Sequence, residues 1–206
     1  MSKVLIVLGL VLVSLLMMGA CGASIVTGKY NGMVSSSEDV DAKWSQVENV
    51  YQRRFDLVPN LVETVRGYAS HESDTLTAVT EARAKVGQIN VNLGQLTPEG
   101  LAQFQSVQDS LSSMLSRLMV VVEKYPDLKA NEGFIRLQDE LAGTENRIAV
   151  ERRNYNESAQ GYNSNIKVFP NNLIAGYFDF KEKPYFKAEE GSNKVPKVDF
   201  SRGAKQ

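Results

Sequence analysis

The chain opens on an apolar run and then changes to a mixed pattern. From Val4 to Val26 there are 23 residues without Asp, Glu, Lys or Arg. As a helix, at about 1.5 Å per residue, they reach about 34 Å, enough to cross a hydrocarbon layer. Beyond Lys29 the spacing becomes that of amphipathic helices. Ser35-Ser36-Ser37-Glu38 has the spacing of a capping box. Val40, Trp44, Val47 and Tyr51 then share one helical face, with Phe55 one step off. Pro59, lacking an N–H, predicts an end or a kink, with Asp56 as N-cap of the next helix. That second helix is expected to carry Leu61, Val65, Tyr68, Leu76, Val79, Ala82 and Val86 in register.

Gln88 to Leu96 is polar and reads as a loop. Thr97-Pro98-Glu99 then supplies an N-cap, a proline at the first helical position and an acid in the first turn. Leu101, Phe104, Val107, Leu111, Met114, Leu118, Val121 and Tyr125 follow in steps of three and four, and Pro126 ends that helix. The last helix shows the clearest period: Phe134, Leu137, Leu141, Thr144, Ile148, Glu151 or Arg152, Tyr155, Ala159, Tyr162 and Ile166. No strand pattern competes over residues 35–168. Four such segments predict an all-α fold, an antiparallel up-and-down four-helix bundle with an N-terminal membrane segment. The bundle is expected over 29–169, after a membrane anchor over 1–28.

Pro170 ends the bundle, and residues 170–186 read as an aromatic C-terminal cap. Phe169, Tyr177, Phe178, Phe180, Tyr185 and Phe186 are too dense for a disordered tail. They fold back on the bundle as an extended segment or form a binding surface for a partner or a membrane interface. Residues 187–206 are polar and read as a flexible tail.

Charge and rare residues narrow the function. Lys3 is the sole charge in the first 28 residues, so the remainder carries 22 basic residues against 24 acidic ones. That balance excludes a general nucleic-acid binder. One cysteine excludes a disulfide framework, and one histidine excludes metal motifs that need two. The cysteine itself bears on anchoring. Met18-Gly19-Ala20-Cys21 partly matches a lipobox, which makes Cys21 a candidate lipid-attachment residue. A retained spanning helix is the competing reading, and a cleaved secretory signal a third. Lys3 and Lys29 balance across the segment, so the side of the membrane is not set.

Catalytic chemistry is not legible. His71 and Glu72 are neighbours in sequence and do not face each other on a helix. Gly67, Gly87, Gly94 and Gly100 are isolated, without the Lys-Ser/Thr of a phosphate loop. Asn156-Glu157-Ser158 is a glycosylation sequon in mid-helix. Arg54 lies close to the seam; it is either solvated with its stem packed or paired with a glutamate of another helix.

Several unbroken stretches resemble the LemA family of bacterial proteins. They are Tyr30–Val34, Arg53-Arg54-Phe55-Asp56-Leu57-Val58-Pro59-Asn60-Leu61-Val62, Gly67–Glu72, Glu81–Arg83, Glu123–Asn131, Glu145–Ala149, Arg152–Asn156, Tyr162-Asn163 and Phe169-Pro170. The resemblance covers roughly residues 30–186. It makes Arg54, Asp56, Pro59, Asn60, Tyr125, Pro126, Asn146, Arg147, Tyr155 and Asn156 family-motif residues. It implies an N-terminal membrane segment, a four-helix bundle and no enzyme. Cys21 in a partial lipobox departs from the plain spanning helix usual in the family. Asn60 and Asn131 are expected to cap helices. Asn146 and Arg54 are expected to form polar contacts that set register, as a buried Asn does in a coiled coil.

The combined expectation is a membrane-anchored, non-enzymatic bundle without catalytic, metal or cofactor residues. Its partners would be the membrane and another envelope protein, with no nucleic acid. A relay subunit across the membrane is the alternative, requiring that no flexible break occur at Thr27-Gly28. An enzyme with an unrecognised site comes last.

Overall fold

The computed structural model describes residues 2–89 and 96–187. Most of the loop expected at 88–96, and the expected tail beyond Lys187, lie outside these residues. Among those described there are six helices and no strand: α1 (Ser2–Tyr68), α2 (Ser73–Gly87), α3 (Pro98–Val122), α4 (Pro126–Lys129), α5 (Glu132–Lys167) and α6 (Asn171–Tyr177). The all-α fold class stands. α1 and α5 form the longest contact, α2 packs on α3, and α1 also meets α2.

Four expected boundary residues inside α1 are corrected. The capping box at Ser35 is not a helix start, because α1 runs unbroken from the apolar segment into the bundle. Its polar side chains bond back to the preceding turn: Thr27 Oγ1 donates to the Ala23 carbonyl at 2.9 Å, and Ser36 Oγ to that of Met33 at 3.0 Å. Pro59 likewise stays within α1. It removes one N–H, and the carbonyl left without its helical donor is that of Phe55. Arg83 of α2 supplies the missing donor, with Nε 3.0 Å from the Phe55 oxygen. The same guanidinium lies 3.7 Å from the centroid of the Phe55 ring. Asp56 and Asn60 are therefore mid-helix and exposed, not caps. Asp56 accepts from Gln52 at 2.8 Å.

The real reversal falls at Ala69–Glu72, inside the stretch expected to be one helix. The Ala69 N–H closes α1 on Val65, and the Glu72 N–H turns back to Ala69. Apolar positions on either side happened to share one period, which concealed the turn. Tyr68, expected in the seam, is accordingly exposed. Asn131 is an N-cap as expected, its side chain accepting from the Phe134 N–H, and Thr97 caps α3 in the same way. Pro126 opens the short α4 after α3 has ended.

The core has two halves. One gathers Val58, Leu61 and Val65 of α1, Leu76 and Val79 of α2, Leu111, Leu115 and Leu118 of α3, with Leu128 and Phe134. The other, nearer the apolar segment, gathers Met33, Val40, Trp44, Val47 and Tyr51 with Leu101, Phe104, Ile148, Tyr155, Ala159, Tyr162 and Ile166. α2 contributes to the first half and not to the second. There the C-terminal segment fills in: Ala175 and Phe186 are buried, with Ile174 and Phe180 packed against them. This segment is helical first and extended only from Phe180, which corrects a wholly extended cap. Asp179 adopts φ 57°, and the Phe180 N–H bonds back to the Ala175 carbonyl at 3.0 Å. That is the six-to-one closure of a helix C-terminus.

Candidate functional site

Two polar constructions stand out in this otherwise apolar bundle. The first lies at the join of the two core halves. Along α1, Val40, Trp44, Val47, Tyr51, Arg54, Val58, Leu61 and Val65 alternate steps of four and three, all of them buried. Arg54 therefore occupies a core position and is 1% exposed. Along α3 the buried set is Leu101, Phe104, Gln108, Leu111, Leu115, Leu118 and Val122. This is a stricter heptad than the expected one, and it places Gln108 where Val107 was expected. Thr144 takes the corresponding position on α5.

Arg54 Nη1 donates to Ser112 Oγ at 2.6 Å and to Glu145 Oε2 at 2.9 Å. Its Nη2 donates to the Gln108 side-chain oxygen and, at 3.2 Å, to the Gln108 carbonyl. Ser112 Oγ in turn donates to Glu145 at 3.3 Å. The guanidinium carbon lies 5.0 Å from the centroid of the Tyr51 ring. A fork with two donor ends joins α1 to α3 and α5 at one level, which a lysine could not do. Glu145 is half exposed, so it reaches inward from the surface and keeps part of its hydration. The solvated arginine is thus corrected to the buried ion pair. Asn146 and Arg147 are exposed, so Asn146 is removed from the expected register contact; Glu145 beside it holds that place.

The second construction clamps the C-terminal strap, residues 180–187, along α5. Asn156 donates to the Phe186 carbonyl at 3.0 Å and accepts from the Phe186 N–H at 2.9 Å. Asn163 does the same for Lys183, at 2.8 Å both ways. Each amide therefore imitates a neighbouring strand. The spacing explains the match: seven helical residues rise about 10.5 Å, and three extended residues span about 10 Å. Tyr155 donates to the Pro184 carbonyl at 3.0 Å, and Gln105 and Arg152 donate to that of Lys187. Lys183 pairs with Asp41 of α1 at 2.8 Å. Phe186 stacks on Trp44, ring centroids 5.8 Å apart. The sequon asparagine is thus fully engaged with backbone.

Burial also shifts the tyrosines that border both constructions. Burial raises the Tyr155 hydroxyl well above its ordinary value, and the nearby Asp41 adds to the effect. Burial also raises Tyr51, against the lowering influence of Arg152 and Arg54, and raises Tyr162. Tyr125 ties the far end together, its hydroxyl donating to Glu72 at 3.2 Å, while Asn131 donates to Tyr68 at 3.0 Å. Among the described residues no three His, Cys, Asp or Glu side chains gather where they could hold a metal. A cleft of about 370 Å³ lies between α1, α2 and α3, with Glu48, Gln52, Phe55 and Gln108 in its wall. Glu48 is the one carboxylate among its described lining residues. His71 is exposed in the α1–α2 turn. Cys21 is exposed on α1, a free thiol in the apolar run.

Fold and site together define an all-α bundle continuous with an apolar N-terminal helix, built around a buried arginine and a clamped C-terminal strap. The chain belongs to the LemA family, whose model matches residues 43–200. The Tyr30–Val34 stretch lies outside that match. The chain is 34% identical over 176 residues to magnetosome protein MamQ 2 of Paramagnetospirillum magneticum, covering 77% of this chain and 64% of that protein. It is 31% identical over 176 residues to magnetosome protein MamQ of Magnetospirillum gryphiswaldense, at the same coverage. It is 27% identical to protein LemA of Metamycoplasma hominis, over 81% of this chain and 72% of that one. The aligned part is thus less than two thirds of the MamQ relatives' own length.

Proposed function

We propose that this protein is a membrane-anchored, non-enzymatic helical module that binds another envelope protein at the membrane surface. The observation that carries the reading is the first part of α1. Large apolar side chains from Leu5 to Val26 are exposed there, from Leu5 at 69% to Val26 at 42%. A bare apolar helix of this length needs a lipid environment or a partner. The polar constructions are consumed in holding the bundle together, which supports a scaffold over a catalyst. The names of the relatives are not those of enzymes. Relatives named as magnetosome proteins are compatible with this reading.

A second reading, a relay across the membrane, is favoured by one feature: α1 continues through Thr27 and Gly28 without interruption. Inserting a short glycine–serine segment after Gly28 separates the two. A module keeps its crosslinked partner, whereas a relay loses the dependence of that contact on the opposite side.

Alkaline extraction of bacterial membranes tests the anchor. The full chain stays with the membrane, and a variant lacking residues 2–28 is released. If Cys21→Ala is retained, the anchor is the helix; if it is released, the anchor is a lipid on Cys21. Release of the full chain itself would overturn the proposal.

A further inference from the structure

The aromatic residues around α6 form a surface that the bundle does not use. Phe169 is 80% exposed, Leu173 64% and Tyr177 84%. Leu173 and Tyr177 are four apart and share one face of α6, with Phe169 just before the helix. The opposite face carries Asn171 and Ala175, which are buried, and Ile174, which packs on the core. Val168 and Phe178 add partly exposed apolar surface at its two ends.

The position of this patch in the fold says what meets it. α5 runs from Phe134, in the core half far from the apolar segment, to Ile166, which shares a cluster with Met33. α6 therefore lies at the end of the bundle where the apolar segment enters. Contacts fix the level more closely. The Tyr30 ring lies 4.7 Å from that of Phe178 and 5.6 Å from that of Phe180, centroid to centroid. Tyr30 is four residues past Val26, about 6 Å along the helix. The polar layer on each side of a hydrocarbon core is about 5–8 Å deep. Aromatic side chains with one polar end favour that layer.

We infer that the Phe169–Leu173–Tyr177 face of α6 docks into the interfacial layer of the bilayer that the apolar part of α1 enters, as a second contact beside the anchor. The inference rests on the anchored reading given above. Attraction of this face is apolar, since the lysines that flank it along the chain are paired within the protein: Lys167 with Glu182 and Lys181 with Asp179. The contact would fix the tilt of the bundle on its helix, because α6 packs against both α1 and α5.

Depth-dependent quenching in vesicles of pure phosphatidylcholine tests this with the full chain. In a Cys21→Ser background, an environment-sensitive fluorophore is attached through Leu12→Cys, Leu173→Cys or Asp74→Cys, one at a time. Leu12 reports the anchor, Leu173 the α6 face, and Asp74 the far end of the bundle. The expected result is strong quenching at position 12 by lipids labelled deep in the chain. At position 173, shallow-labelled lipids quench several-fold more than at position 74, and Phe169→Ser with Tyr177→Ser reduces that difference. Quenching at 12 together with equal, weak quenching at 173 and 74 overturns the docking and leaves the anchor standing. No quenching at 12 overturns both.

Discussion

Arg54 shows how a single residue holds three helices in register. It replaces an apolar side chain at a heptad position and is buried on every side. Removing one member of such a set leaves an uncompensated charge or orphaned amide and is strongly destabilising. Arg54→Lys keeps the charge and loses the fork; it is expected to cost about 2–3 kcal/mol in chemical denaturation. Asn146→Leu, on an exposed position, is expected to change stability by less than about 0.5 kcal/mol. A large loss there would restore Asn146 to the register contact. The buried tyrosines predict a pH window. Tyr51, Tyr155 and Tyr162 are each raised above their ordinary value in the fold. The unfolded chain therefore releases protons first. Their contribution is complete below about pH 10 and falls as pH rises further. A melting temperature that is flat to about pH 9 and falls above about pH 10 is expected, with part of that slope lost in Tyr155→Phe.

Elements are held by backbone repairs that reach across the fold. The carbonyl freed by Pro59 is met by Arg83, so the two side chains form a coupled unit. Pro59→Ala restores the helical N–H, after which Arg83→Ala should cost less than it does in the natural background. A double-mutant cycle is expected to show coupling of about 1 kcal/mol, and additivity would refute the pairing. The strap depends on Asn156 and Asn163 in the same manner. Asn156→Ala with Asn163→Ala leaves backbone groups of Phe186 and Lys183 unpaired. Limited proteolysis is expected to cut the strap several-fold faster while α3 and α5 stay protected.

The same elements show how far sequence reasoning reaches. The seam of α5, the cap of α3 and the Asn131 cap are written in local residue types, and the structure reproduces them. Pro59 does not end the helix, because Arg83, far along the chain, meets the carbonyl it frees. The turn at Ala69–Glu72 was hidden because flanking apolar residues kept one period through it. Gln108 is invisible to a hydrophobic count because it is polar at a core position, although the spacing around it points there. The clamp by Asn156 and Asn163 was out of reach of periodicity, since its partners are main-chain groups of a segment twenty and thirty residues away.

At the scale of the whole molecule, one helix runs from the apolar segment to the far end of the bundle. The half of the core nearest that segment is completed by the chain's own C-terminal region, and the half beyond it by α2. In the function proposed here, a membrane around the first and a protein bound to the bundle would then be held at a set distance and angle. That geometry fails if the helix is hinged where the apolar run ends. Amide hydrogen exchange of the full chain in a lipid nanodisc reads this directly over Ala23–Val34. An unbroken α1 predicts slow exchange throughout, Thr27 to Gly32 included, at a rate close to that of the following turns. Fast exchange confined to Thr27–Gly32, with protection on both sides, would show two independent helices and contradict a bundle fixed rigidly to its anchor.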